Sequence, residues 1–460
     1  MTGAPRYRAA PMSWVDHDGQ LLALSKTSPA WALVNTTARS ISEFCANPDG
    51  RSLDEVRSWF EGRFGPVEST ELQGWLGALA DGGLLATEAP RPAEARPSRA
   101  YSVEHMYLEL LARCNLRCLH CFMGGAPERT EAFELDQALA LIDTHAGQGG
   151  RYVTLSGGEP LIYRDIGTVI DHVAERGLYG TLITNGVRLT EDDLDRLDHA
   201  GFNLAVSLDG IDPEVNNRIR GKGAENAKAS LLRGLERLGP DRIVLSFTPV
   251  KANMGELDAL FAFIEEHGIR RLNLSIYEAV GRAEEHTDLL SLDAEDRLRL
   301  VHAVYGNAVK LAGRVEIDLN DTRSVLNRFN RDAGSEDLHP LWRGVRVTSS
   351  GDVYPASFGA VEKFHLGNVF ERPFEDILNS PVLTDLYETL TGRVQKTPKC
   401  SVCDWSQICR GGSVAAAFCA TGNMFSPDPY CDAYLEVFPK VLVALTNRYA
   451  PSAEPVAEPV

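Results

Sequence analysis

The sequence predicts an α/β protein built around a parallel sheet. Between about residues 105 and 320, six short apolar runs alternate with stretches of helical periodicity. The runs are nearly continuous in hydrophobicity, as expected of strands buried on both faces. The motifs that carry chemistry follow the runs, and in parallel barrels the site lies at the C-terminal ends of the strands. The six strands are expected at 106–111, 152–156, 181–184, 203–208, 242–247 and 271–276.

At 460 residues the chain is too long for one ordinary core, so two or three domains are expected. Hydrophobic residues make up 44% and charged residues 24%, a normal soluble composition. A net charge of −18 argues against a broad nucleic-acid or anionic-membrane surface. No secretion signal or membrane-length apolar stretch is visible, which points to the cytoplasm. Nine cysteines in that setting favour metal or catalysis over disulfides.

Residues 1–88 read as a separate small domain. Leu21–Leu24 and Trp31–Val34 suggest two short strands, followed by three helices. The first starts near Thr37 and places Ile41, Phe44 and Cys45 on one face, which makes Cys45 a core residue. The second opens on Ser52 and Glu55, a capping box, and is expected to bury Leu53, Val56, Phe60 and Phe64. The third carries Leu72, Trp75, Leu76 and Leu79 and stops at Gly82-Gly83. Residues 89–100 form a Pro-rich linker, 101–320 the sheet-based domain, 321–448 a C-terminal extension, and 449–460 a disordered tail.

Cys114, Cys118 and Cys121 form a Cys-x3-Cys-x2-Cys loop just after the first strand. A closed [4Fe–4S] cluster takes four thiolates, so this loop leaves one iron without a protein ligand. An open metal position is where chemistry happens, as at catalytic zinc sites. A structural zinc site with His120 as fourth ligand is the alternative, and a packed or solvated loop residue is the other reading of His120. The loop closely resembles that of radical S-adenosylmethionine (SAM) enzymes. The resemblance implies a partial (β/α)6 barrel in which the amino and carboxylate groups of SAM chelate the open iron. An electron from the cluster then cleaves SAM to methionine and a 5′-deoxyadenosyl radical.

Ser156, Gly157, Gly158 and Glu159 resemble the family motif that holds the SAM amine. Glycine permits close backbone approach, and a carboxylate suits an ammonium. The same resemblance assigns SAM contacts to Thr184 and Asn185 after the third strand and to Ser207 after the fourth. It also assigns Arg220, as partner of the SAM carboxylate, and Val280 beside Gly281-Arg282-Ala283, near the adenine. Asp209-Gly210 reads as either part of this set or a tight turn.

Cys400, Cys403, Cys409 and Cys431 supply four thiolates, a set suited to an iron–sulfur cluster or to zinc. They resemble the outer auxiliary-cluster ligands of the SPASM extension of peptide-modifying radical SAM enzymes. Ala356 and Ser413 stand where that pattern has cysteines for an inner cluster, so one auxiliary cluster is expected. Cys419 is out of ligand register. It reads as a buried thiol, a substitute ligand, or a catalytic hydrogen-atom donor. The N-terminal pattern resembles a winged-helix peptide-recognition domain, the kind fused to enzymes that modify ribosomally made peptides.

Together these resemblances imply a radical SAM maturase forming a C–C or thioether cross-link in a precursor peptide. Its leader would be held by the N-terminal domain, and a flavodoxin or ferredoxin-type donor would supply electrons. The alternatives are a peptide epimerase, a small-molecule or porphyrin enzyme, and a non-catalytic iron–sulfur scaffold.

Overall fold

The computed structural model describes residues 5–87, 103–319, 325–329, 343–356 and 361–449. The expected linker at 89–100 and the tail beyond 449 lie outside the described residues.

At the N-terminus, β1 (Arg6–Ala9) is followed by a three-stranded meander of β2 (Met12–His17), β3 (Gln20–Ser25) and β4 (Trp31–Val34). Helices α1 (Thr36–Phe44), α2 (Leu53–Phe64) and α3 (Ser69–Asp81) follow, with β5 (Arg51–Ser52) and β6 (Leu85–Ala86) pairing on either side of β1. The Ser52–Glu55 capping box forms as expected, each residue satisfying a backbone amide of the other. Cys45 is fully buried with Ile41, Val56, Phe60 and Leu72, and burial pushes its thiol up to about 11.

One aromatic expectation is corrected. Phe64 is 44% exposed. Phe64 is the last residue of its helix, beyond the reach of the core, and its ring rests on Phe60 and Trp59 at the surface.

The meander packs the other way. Leu22, Leu24 and Trp31 belong to the large apolar core shared by the main sheet and the C-terminal helix Cys431–Tyr449. The Trp31 indole donates to the Phe329 carbonyl at 2.8 Å. Ser13 donates to the Asp404 carboxylate, in the second cysteine segment.

The main sheet contains the six expected strands: β7 (His105–Glu109), β8 (Tyr152–Ser156), β9 (Tyr179–Thr184), β10 (Asn203–Ser207), β11 (Ile243–Phe247) and β12 (Arg271–Leu274). All pair in parallel and in chain order. Two further parallel strands widen it: β13 (Glu316–Leu319) beside β12, and β14 (Gly344–Val347) beside β7. β15 (Asp352–Pro355) and β16 (Gly367–Asn368) continue that edge antiparallel. Among the described residues β13 and β14 do not pair, so the barrel stays open. Buried Leu182, Leu204, Val206, Leu245 and Leu272 belong to the apolar core between the sheet and its helices, whereas Ile183, Ser207, Ser246 and Asn273 face the inner side and line a cavity.

Candidate active site

The backbone ties the first cysteine loop to the segment after β8. Gly158 N donates to Leu111 O at 2.7 Å, and Glu159 N to Arg113 O at 3.0 Å. A Cβ on Gly158 would stand 2.1 Å from Arg113 O, so only glycine allows this approach. Across the loop, Gly281 has φ +62, and a Cβ there would lie 2.4 Å from Phe122 O. The next residue, Arg282, donates to Cys118 O at 3.1 Å, Gly124 O at 3.4 Å and Gly125 O at 2.8 Å. The Gly281-Arg282 segment therefore clamps the cysteine loop, a job its sequence did not announce.

Cys114, Cys118 and Cys121 line one cavity of about 370 Å³ at the C-terminal ends of the strands. Backbone amides point at two of the sulfurs: Leu116 N at Cys114 Sγ, 3.4 Å, and Gly125 N at Cys121 Sγ, 3.3 Å. Burial pushes Cys114 up to about 11 and Cys118 to about 12. Each stays a thiol until a cation ligates it. Among the described residues, no three His, Cys, Asp or Glu side chains converge as they would on a single metal ion. The donor set is sulfur-rich and backed by amides, which suits an iron–sulfur cluster.

Ser156, Gly157, Gly158, Glu159, Thr184, Asn185, Ser207 and Arg220 line the same cavity, whereas Val280 does not. Fully buried Glu159 accepts hydrogen bonds from Leu161 N (3.1 Å) and Thr184 Oγ1 (2.7 Å) on Oε1, and from Asn185 N (2.8 Å) on Oε2. A carboxylate has about four lone-pair sites, so Oε2 keeps one for a ligand ammonium. Asn185 Nδ2 sits 3.8 Å from Cys114 Sγ, joining the end of β9 to the cysteine loop.

Asp209 is no mere turn residue. Its buried carboxylate lies 2.6 Å from Arg220 Nε and 2.6 Å from His120 Nε2, and accepts Thr248 N at 2.7 Å. Burial alone would raise Asp209, but Arg220 and His120 hold it down at about 2. His120 is thus a packed hydrogen-bond partner of Asp209, one of the two readings open for it. The depressed value sets the sign of the pH effect. Ionised Asp209 contributes its full stability above the unfolded value near 4, and that contribution is lost as pH falls through about 2. Asp209→Asn is expected to cost about 3–5 kcal/mol at neutral pH, because it strands the buried Arg220 cation. Denaturant titration checks this, and an unchanged midpoint would contradict it.

The opposite wall was missed in the sequence. Glu109 on β7 and Arg346 on β14 form a buried ion pair. The Arg346 guanidinium lies 4.3 Å over the Phe122 ring. Glu278, four residues beyond β12, completes the wall, with Tyr107 and Ala356. No local motif marks these residues; the pairing of β14 with β7 and the curl of the open sheet bring them together. Cys419 lies on the helix Val414–Thr421, is exposed, and neighbours Glu278. The buried-thiol reading of Cys419 is therefore corrected by its exposure.

Cys400, Cys403, Cys409 and Cys431 line a second cavity of about 20 Å³, closed by Trp405, Asp428, Tyr434 and Phe438. Arg393, 1% exposed, donates to the carbonyls of Gly411 (2.7 Å), Met424 (2.8 Å) and Ser426 (2.8 Å), bracing this segment. Ser413 caps the helix Val414–Thr421, accepting Ala416 N at 3.1 Å. Ala356 faces the first cavity.

Two family models match the chain: the radical SAM superfamily over residues 108–264, and SPASM, an iron–sulfur cluster-binding domain, over 340–404. The chain is similar to the AdoMet-dependent heme synthase of Methanosarcina barkeri, 28% identical over 70% of this chain and 94% of that protein. It is also similar to the mycofactocin maturase MftC of Mycolicibacterium smegmatis, 27% identical over 70% of this chain and 81% of that protein. In fold it resembles SuiB of Streptococcus suis bound to precursor peptide SuiA, with a TM-score of 0.56 and 16% identity, covering 92% of this chain and 99% of that one. No described helix is long and apolar enough to cross a membrane.

Proposed function

We propose, for a chain that belongs to the radical SAM superfamily and carries a C-terminal SPASM extension, that it modifies a ribosomally made precursor peptide. The carrying observation is the cavity that gathers three cysteines, Glu159 and Arg220 at one end and an open, polar wall at the other. When bound, a [4Fe–4S] cluster with an open iron, together with SAM, supplies a 5′-deoxyadenosyl radical that abstracts hydrogen from an unactivated carbon.

The chain's own residues do the rest. Cys114, Cys118 and Cys121 would hold the cluster, and Arg282 and Gly281 keep their loop in place. Glu159 Oε2 would receive the SAM ammonium, with Thr184 and Asn185 holding that carboxylate in place. Ser207 would contact the ribose or carboxylate, and Arg220, tied to Asp209, would balance the carboxylate. With a substrate seated in the mouth, the walls would exclude water, which would otherwise quench a radical. Cys400, Cys403, Cys409 and Cys431 would hold one auxiliary cluster.

The peptide reading is supported by likeness to a mycofactocin maturase and by the N-terminal unit, which we assign as a winged-helix peptide-recognition domain. The leader adds a strand to an edge of the β2–β4 meander, where main-chain hydrogen bonds give affinity. The assigned location is the cytoplasm, with a flavodoxin or ferredoxin-type protein as electron donor. Likeness to a heme synthase favours a porphyrin as the second reading.

Anaerobic assay with SAM, a chemical reductant and, in separate arms, candidate peptides from short open reading frames beside the gene and a porphyrin tests the proposal. The expected result is 5′-deoxyadenosine together with a peptide lighter by two hydrogens. An unchanged peptide and an altered porphyrin would support the second reading. Iron and sulfide analysis of the reconstituted chain is expected to give about eight irons, because Ser413 is a helix cap and Ala356 carries no donor. About twelve would mean a third cluster with unrecognised ligands.

A further inference from the structure

Glu278 sits where the ends of β12 and β14 approach each other across the cavity mouth, on the wall facing the cysteine loop. The charged and titratable groups facing it are Arg346 from β14 and Cys419 from the helix Val414–Thr421. Arg346 is already paired with Glu109 and stacked on Phe122, so among the described residues Glu278 only shares a cation. The Cys419 thiol lies beside it. The result is a carboxyl that opens onto the reaction space, has a neutral thiol as its neighbour, and can exchange a proton with whatever fills the cavity.

We propose that Glu278 is the catalytic base of the bond-forming step, accepting the proton that the substrate loses when its carbon radical is joined to a neighbouring group. This deepens the peptide-modifying reading and rests on it. The balance is simple. A carbon radical and a neighbouring X–H group, with X sulfur or carbon, become a C–X bond, one proton and one electron. The X–H bond breaks and the C–X bond forms. The electron leaves to a one-electron acceptor of the iron–sulfur class, and the proton goes to the Glu278 carboxylate.

Burial pushes Glu278 up to about 7, so the group is split between its two forms near neutral pH. That is the range in which a carboxylate both takes a proton readily and releases it again. The cavity therefore divides into two ends. Glu159, Arg220 and the cysteine loop face SAM, while Glu278 faces the substrate carbon and its partner group.

The test uses the full chain with its clusters reconstituted, SAM, a chemical reductant and a synthetic copy of the peptide encoded beside the gene. Glu278→Gln is expected to split the two products: cross-linked peptide falls about 100-fold while 5′-deoxyadenosine persists. In the parent, product formation should rise with pH through about 7, as Glu278 becomes the base, and this limb should vanish in Glu278→Gln. Infrared spectra of the holoenzyme without peptide should show a carboxyl band titrating in the same range and missing from Glu278→Gln. Cys419→Ala should move both the limb and the band upward, since the neighbouring thiol lowers the carboxyl.

Undiminished cross-linking in Glu278→Gln would overturn the proposal, as would loss of 5′-deoxyadenosine along with product. A collapse in Cys419→Ala equal to that of Glu278→Gln would move the chemistry to the thiol and overturn it too. Parent enzyme that cleaves SAM but leaves the peptide unchanged would instead sink the peptide reading, a failure visible before any variant is made.

Discussion

Cys118→Ala is expected to abolish formation of 5′-deoxyadenosine under anaerobic, reducing conditions. Cys118, Cys114 and Cys121 face one cavity, and a cluster with one open iron needs all three thiolates. Neighbouring side chains offer no replacement. His120 is held 2.6 Å from Asp209, and Glu159 already accepts three hydrogen bonds. The main chain should survive the change, because Cys118 is only partly buried and its carbonyl, which Arg282 grips, remains. The variant should therefore be folded, lack the first cluster by electron paramagnetic resonance, and retain the iron of the second. Undiminished SAM cleavage would remove the basis for the proposed chemistry.

The second large effect concerns the N-terminal meander. Trp31→Ala is expected to destabilise the whole chain by about 3–5 kcal/mol. Trp31 is 7% exposed, shares the main core with Leu22 and Leu24, and donates to the Phe329 carbonyl at 2.8 Å. Truncation leaves a cavity and an unpaired carbonyl between the meander and the C-terminal helix. Thermal or denaturant unfolding should show the shift in the transition of the barrel itself. A barrel that unfolds as before would mean the two parts are independent.

The same packing determines how leader capture should be examined. Deleting residues 1–87 would expose core side chains and confuse binding with stability. A proline in the leader's paired stretch removes one main-chain donor and leaves the enzyme intact. It tests strand addition directly.

The sites that were legible are those written in short, local spacing. Cys114, Cys118 and Cys121 lie within one loop, Gly157–Glu159 follow a strand directly, and Ser52 with Glu55 form a cap three residues apart. The parallel strands were legible because burial on both faces leaves near-continuous apolar runs. β13 and β14 were not. Each is four residues long, and Arg346 interrupts β14 with a charge that is acceptable only because Glu109 meets it.

By itself, the sequence determined the donor chemistry: which thiols form sets, that one set has three members and the other four, and that a parallel sheet carries the first. Donor type and local spacing are covalent properties of the chain, so they survive without knowledge of contacts. Only the tertiary structure decided what those donors face. It paired Arg346 with Glu109 across 237 residues and His120 with Asp209 across 89. It turned Arg282 onto the cysteine loop, set Glu278 beside Cys419, and packed the meander into the main core. Buried charges must find partners and apolar faces must find cover, but which partner is closest depends on how the strands pair and the open sheet curls.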